Sequence, residues 1–556
     1  MEYDLVLIHP PSVYDFRKRI LFLGPITRTV PYTPVFIMFP VGLLSIADLL
    51  DRHGYKVKIL NLGEKMLAEP NLDVESYLKS ISARVFGIDL HWCIHAQGAM
   101  ETAKLCKERH PESLIVLGGL TATAFDVEIV SNWRYVDFVL RGEAEHPMLR
   151  LMQELDESGR LFNVPNLTYL DEAGGIHVNP YMKVPESLDE FEFTRLDLVE
   201  PCERVLTTSV GFKSLRLWNI PVCRGCVFNC STCGGSAYSY EKLMKRKGLA
   251  VRSPEKLVED FQRLDQTGIN SVFMFQDMRM CGERYWKELI ERLHKEKWTN
   301  IDHVTIELFY PPDDKFLKAL SNCKPADELG MGISPDSGDE YVRRPHGRAY
   351  PNSALLTTVE SSKKYGLSLA AFFMIGLAEE TRESLKNTWA LWEKLLQANE
   401  PGRVSVGVGF CPMIVLDPSS PAFDNPDQYG YLVRFRNLAD HIGGMSSPSW
   451  KYWMNYETKN LKREDLVALT LESSIQLTNL YEKFGMFTGS QASSERVKIG
   501  LERIVLKEVD QILMVKDEKE RERRLKELDL VVRNPSLAYS YLLTSDEGWE
   551  TLKEEM

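Results

Sequence analysis

Four cysteines fall within eleven residues, in the row Cys223-Arg224-Gly225-Cys226-Val227-Phe228-Asn229-Cys230-Ser231-Thr232-Cys233. No other feature constrains the chain as tightly. The two CxxC pairs invite a zinc reading, yet only three residues separate them. Structural zinc knuckles usually leave roughly a dozen or more residues between pairs, so that the backbone can fold over the metal. Thiolates at small offsets on one short loop instead suit one corner of an iron–sulfur cubane. Iron–sulfur is therefore the favoured reading, with zinc as its alternative. Ten cysteines in 556 residues are too sparse for a disulfide scaffold, and in a reducing compartment such crowding points to metal.

Length suggests about three or four domains. Hydrophobic residues at 44% and charged residues at 26% describe an ordinary globular chain. With 79 acidic against 67 basic side chains the formal charge is −12, which argues against a nucleic-acid surface. The longest basic run, residues 516–526 (KDEKERERRLK), is interleaved with acids and reads as a solvated helix face. No stretch of eighteen apolar residues suggests a membrane span, and the N-terminus opens on a strand-like run without a basic leader. A cytoplasmic location is expected.

The expected fold class is α/β. Between residue 4 and about residue 152, five short apolar runs (DLVLIHPP, KVKILNL, VFGIDLHW, LIVLGGL, VDFVLRGE) alternate with segments of helical spacing. That pattern predicts a doubly wound, Rossmann-like parallel sheet, with ligands beyond the carboxyl ends of its strands. Those ends are His9-Pro10-Pro11, residues 89–93, Gly118-Gly119 and Arg141-Gly142-Glu143. Residues 161–213 read as a linker with a small hairpin. A second series has strand candidates at 216–222, 271–276, 303–309, 328–333, 370–375 and 404–410. Six βα units make a partial (β/α)6 barrel over 214–417, with chemistry expected at the C-terminal strand ends. The cysteine row follows the first of these strands. Residues 418–556 turn helical, with amphipathic runs at 463–484 and 494–515, and predict a C-terminal helical domain packing on the barrel mouth or the interdomain seam.

Cys226-x3-Cys230-x2-Cys233, preceded by Arg224-Gly225, resembles the signature of the radical S-adenosylmethionine superfamily. The resemblance implies a 4Fe-4S cluster on Cys226, Cys230 and Cys233. It also implies one open iron, chelated by the methionyl amine and carboxylate of S-adenosylmethionine, and a 5′-deoxyadenosyl radical that abstracts hydrogen, chemistry carried by the cofactor. A ferredoxin- or flavodoxin-type electron donor follows as a partner. Thr232 stands where many members carry an aromatic residue, and Phe228 is the candidate shield in its place. Cys223 is surplus to the signature and reads as a buried bystander. Cys93, Cys106, Cys202, Cys281, Cys323 and Cys411 have no metal spacing, so core packing is the default. Further pieces follow in family order. Gln276-Asp277 falls where other members bind the methionyl amine. Asp336-Ser337 lies in GISPDSG, similar to the ribose-contacting motif, and Phe373, Ile375 and Gly376 lie in FMIGLAEET, similar to the adenine-lining motif. Glu307 either points into the barrel or is a satisfied core carboxylate.

The first domain resembles the cobalamin-binding domain fused to many radical enzymes, through Pro40-Val41-Gly42-Leu43-Leu44-Ser45, Gly118-Gly119-Leu120-Thr121 and Arg141-Gly142-Glu143-Ala144-Glu145. A generic nucleotide-binding sheet is the alternative. Gly118-Gly119 would let backbone approach a planar ligand closely. The residues implied for cobalamin are Pro10, His91, Trp92, Gly118, Gly119, Thr121, Arg141, Gly142 and Glu143. The Asp-x-His-x-x-Gly motif is absent after the first strand, so no axial histidine is expected from there; His91, Trp92 and His95 fall near the expected lower face.

Together the domains are similar to the cobalamin-dependent (class B) radical methyltransferases. The implied reaction takes hydrogen from an unactivated sp3 carbon and transfers methyl from methylcobalamin, using two molecules of S-adenosylmethionine. The substrate would be a polypeptide, as in glutamine methylation of methyl-coenzyme M reductase, or a small polar molecule. Alternatives are a radical cyclase or C–C coupling enzyme of the same architecture, and a non-catalytic corrinoid or iron–sulfur sensor.

Overall fold

The computed structural model describes residues 2–24, 41–157, 159–201, 207–210, 213–323, 328–400 and 405–534. Pro40, Cys202 and the start of the last strand candidate at Val404 lie outside them. The five N-terminal apolar runs become β1 (Tyr3–His9), β2 (Val57–Asn61), β3 (Ala83–Asp89), β4 (Leu114–Gly118) and β5 (Phe138–Leu140). They pair in parallel in the order 2-1-3-4-5. Continuous apolar runs suit such strands because both faces are covered. In β1, Leu5 and Leu7 enter a core shared with the barrel, while Val6 and Ile8 enter a second core that includes Ala99, Met100 and Ala103 of the helix Ala96–Arg109. The winding reverses between β1 and β3, so a crevice opens there at the carboxyl ends.

The stretch read as a linker extends this sheet at both edges. The hairpin β6 (Leu167–Leu170) and β7 (Ile176–Val178) adds antiparallel to β5, and β8 (Val199–Glu200) adds parallel to β2.

A second sheet starts with the antiparallel pair β9 (Thr207–Val210) and β10 (Lys213–Pro221). After the small ladder of β11 (Cys223–Arg224) on β12 (Ala250–Val251) come β13 (Ser271–Phe275), β14 (His303–Leu308), β15 (Glu328–Asp336), β16 (Ser368–Ile375) and β17 (Val406–Pro412). All six expected barrel strands form, paired in parallel in the order 10-13-14-15-16-17. The sheet ends at β17, so the barrel is partial. Local signals set the crossover helices. Ser253 caps Pro254–Gln266 by accepting the Lys256 N–H at 3.2 Å, with proline in the first turn.

The helix Arg463–Lys483 packs on the helix Arg382–Leu396 and on β16 and β17. The helix Leu438–Met445 docks on Ala96–Arg109 of the first domain, and Glu128 accepts the Leu438 and Ala439 N–H groups at 3.0 and 3.2 Å. No helix among the described residues is long and apolar enough to cross a membrane.

Candidate functional site

The carboxyl ends of both sheets open into one cavity of about 780 Å³. One wall carries His9, Asp89, His91, Trp92 and Thr121 from the first sheet; the other carries the cysteine row, Gln276, Glu307 and Arg348 from the second.

The cysteine loop leaves the β11–β12 ladder through Gly225, whose φ is 105° and whose Cβ, if present, would stand 2.3 Å from the Gly248 carbonyl. Only glycine fits that turn. Cys226, Cys230 and Cys233 all line the cavity. Backbone N–H groups of Phe228 and Gly235 donate to the sulfurs of Cys226 and Cys233 at 3.4 and 3.3 Å, as suits thiolates. Burial pushes all three thiols up, so the metal-free loop holds them protonated. Among the described residues no three His, Cys, Asp or Glu side chains converge on a single-ion position. Phe228 lies against Phe309 and Tyr310 at 5.8 and 5.0 Å between ring centroids. Cys223 is buried at the edge of the same cavity, and the neighbouring Cys281 together with burial pushes its thiol up.

Arg224 joins the two domains. Its guanidinium donates to Glu143 at 3.0 Å and to Glu145 at 3.2 and 2.5 Å. Arg246 also holds Glu143, at 2.5 and 2.8 Å, and Ser45 donates to Glu145 at 2.8 Å. Burial pushes the Glu145 carboxyl up, but the Arg224 charge outweighs it and holds it below the usual range. Glu143 therefore lines the cavity with its carboxylate already committed to the cysteine loop, and Glu145, outside the sequence-derived set, shares the task.

Of the other residues expected around cobalamin, His91, Trp92, Gly118, Gly119, Thr121 and Gly142 line the cavity, whereas Pro10 and Arg141 do not. Arg141 faces Asp126 at 3.3 Å and lies over the Tyr181 ring. Gly119 corrects a sequence expectation. With φ 109°, a Cβ there would sit 2.6 Å from the His91 backbone, so the close approach is to the chain's own β3 loop. Gly42 and Gly118 do keep the cavity clear: a Cβ at Gly42 would meet nothing within 4 Å, and one at Gly118 only the Leu140 carbonyl at 3.7 Å. His9 donates its Nδ1–H to the Asp89 carboxylate at 2.9 Å, and burial lowers the His91 pKa, keeping that imidazole neutral.

At the barrel mouth Gln276 lines the cavity, but the Asp277 carboxylate turns to Arg279 at 2.5 and 2.9 Å and to the Phe309 N–H at 2.9 Å. Asp336 is buried with its pKa pushed up to about 6 by burial, 3.6 Å from Arg348. Ser337 accepts the Asp339 N–H at 3.1 Å. Phe373 packs edge-on to Trp392, Ile375 is buried, and Gly376 (φ 107°) donates its N–H to Glu380 at 2.7 Å. None of these five lines the cavity. Arg348 and Asp417 do, and no motif announced them. Asp417 accepts the Gly234 N–H at 2.8 Å beside Cys233, and burial pushes its pKa up to about 6.

Residues 220–391 match the family model of the radical SAM superfamily, and residues 28–152 that of the B12-binding domain. An uncharacterized methyltransferase of Pyrococcus horikoshii is 23% identical over 399 residues, 70% of this chain and 78% of its own. The hopanoid C-3 methylase of Methylococcus capsulatus is 26% identical over 277 residues, 48% of this chain and 47% of its own. Among solved structures, the radical S-adenosylmethionine methyltransferase TsrM of Kitasatospora setae, with cobalamin and a [4Fe-4S] cluster bound, shares the fold. Its TM-score is 0.54 at 15% identity, covering 78% of this chain and 77% of that one. Two matched modules that open into a single cavity leave one consistent assignment: the chain belongs to the cobalamin-binding radical S-adenosylmethionine enzymes, whose cofactors are a 4Fe-4S cluster, S-adenosylmethionine and cobalamin.

Proposed function

We propose that the protein is a C-methyltransferase acting on an unactivated sp3 carbon of a polypeptide side chain or a small polar molecule. The observation that carries this reading is the single cavity, with the cysteine loop on one wall and the β1/β3 crevice on the other. When bound, the cluster and S-adenosylmethionine supply a hydrogen-abstracting radical, and methylcobalamin supplies the methyl group.

The chain's own part is binding and orientation. Cys226, Cys230 and Cys233 would hold the cluster, with the Phe228 and Gly235 N–H groups supporting the sulfurs of Cys226 and Cys233. Cys223, on the same cavity, is surplus to the three cluster thiolates. Gly42 and Gly118 leave room for the corrin ring, with His91, Trp92 and Thr121 beside it. A ferredoxin- or flavodoxin-type protein delivers the electron.

Product mass tests the reading. Reconstituted enzyme with its substrate should yield 5′-deoxyadenosine and a product heavier by one methyl. 5′-Deoxyadenosine without methyl gain would sink the methyltransferase reading in favour of ring closure or coupling. No S-adenosylmethionine cleavage by cluster-loaded, reduced protein would favour a sensor.

A further inference from the structure

The turn that packs behind the cysteine loop is basic: Arg343, Arg344 and Arg348 fall within six residues. Its backbone touches the loop. A Cβ at Gly347 (φ 85°) would stand 3.1 Å from both the Cα and the Sγ of Cys230, and the His346 imidazole meets the Ser231 hydroxyl at 2.9 Å. Tyr310, against Phe228, donates its hydroxyl to the Gly347 carbonyl at 2.8 Å. From this turn Arg348 reaches the cavity, on the wall that carries Cys226, Cys230 and Cys233. Arg343 does not line it and is spent on the Ser337 and Tyr350 carbonyls at 3.3 and 2.7 Å.

Arg348 is poorly compensated for a buried cation. Its side chain is 11% exposed. One N–H reaches the Phe309 carbonyl at 3.3 Å, and the guanidinium lies over the Phe309 ring, 5.1 Å from its centroid. Asp336 stands 3.6 Å from Nε, too far for a hydrogen bond, and among the described residues no other carboxylate pairs with Arg348. Arg224 and Arg246, by contrast, hold Glu143 and Glu145 through short bonds. A guanidinium stays charged, and a buried charge costs stability unless countercharge surrounds it. The countercharge within reach is sulfur. The Arg348 charge pulls the Cys226 and Cys230 thiols down against burial, and the Cys230 and Cys233 thiolates in turn favour its own charged form. Glu307, on the same wall, feels the same charge.

We infer that Arg348 is the counter-ion of the iron–sulfur cluster and raises its reduction potential, with Asp336 tempering that charge. A cubane core of two positive charges on three thiolates carries one net negative charge, and one electron from a low-potential donor makes it two. No bond and no proton changes hands in that step. A fixed cation stabilises the more negative state more strongly, so the reduced cluster forms more readily. The Asp336 carboxylate has the opposite sign and the opposite effect. This inference rests on the three-cysteine cluster site and is independent of the methyl-transfer reading.

The test is an anaerobic redox titration of cluster-loaded full-length protein at about pH 8, without S-adenosylmethionine, followed by electron paramagnetic resonance of the reduced cluster. Arg348→Gln should lower the equilibrium constant for reduction by about 5–30-fold, the scale of one unit charge at an effective dielectric of about 20. Arg348→Lys, which keeps the charge, should stay within about threefold of wild type. Asp336→Asn should move the constant the other way. Opposite shifts are the signature of charge, because a purely structural role would not change sign between the two variants. Equal midpoints in wild type, Arg348→Gln and Asp336→Asn would overturn the assignment, as would shifts of one sign or a lysine variant as low as the glutamine one. Should Arg348→Gln fail to take up iron, Asp336→Asn decides alone, and a midpoint unchanged or lowered overturns the assignment. Wild-type protein without the cluster signal would instead overturn the cluster site beneath it.

Discussion

Arg224→Met should uncouple the two domains, and the structure sets the size of the effect. Arg224 makes one hydrogen bond to Glu143 and two to Glu145. Glu143 keeps both bonds from Arg246, at 2.5 and 2.8 Å, so it stays paired. Glu145 keeps only the Ser45 hydroxyl at 2.8 Å. The loss therefore falls on one buried carboxylate, and removing one partner of a buried pair costs about 3–5 kcal/mol. Its pH dependence carries a sign. In the wild type Arg224 holds the Glu145 pKa below the unfolded value of 4.5, so its contribution is present above that value and fades as pH falls through the folded one. In the variant the Ser45 bond remains, but burial is the strongest influence left and raises the folded pKa. The folded chain then holds a proton that the unfolded chain has released, and the deficit should shrink between about pH 8 and about pH 5. Urea unfolding of the apo-protein, followed by tryptophan fluorescence at both pH values, reads this directly. Arg224→Met/Glu145→Gln should recover much of the loss. A deficit below about 1 kcal/mol, or one independent of pH, or a double variant no better than the single, would refute the reasoning.

Other changes separate ligand, packing and titration effects. Cys226→Ala should abolish the iron–sulfur absorbance after reconstitution, whereas Cys223→Ala should keep its iron content, because Cys223 lies outside the three-cysteine spacing. Gly119→Ala should destabilise by about 2–3 kcal/mol in thermal unfolding and lower corrinoid retention, since its Cβ would meet the His91 backbone at 2.6 Å in a left-handed conformation. Glu380, pushed up to about 8 by burial, binds a proton in the folded chain that the unfolded chain loses near 4.5. Wild-type stability should therefore fall as pH rises from about 5 to about 8, and Glu380→Gln should flatten that fall.

The kind and order of elements could be read from residues alone, because apolar runs, caps and cysteine offsets are local. The five runs of the first domain and the six of the barrel became the expected strands. The cysteine spacing pointed to an iron–sulfur loop, and Cys226, Cys230 and Cys233 all line the cavity. What could not be read was which polar groups are free. Glu143 looks like a ligand contact in its motif, yet it meets Arg224 across 81 residues of sequence. Gly119 looked like a cradle for a ligand and instead admits the β3 loop. Asp277 and Glu307 carry the same charge, and only folding showed that Arg279 occupies the first while the second faces the cavity. The sequence by itself determined the modules and their cofactors. The tertiary structure decided which side chains remain available to them, because a hydrogen bond or ion pair is spent on whichever partner the fold brings near, whatever its distance along the chain.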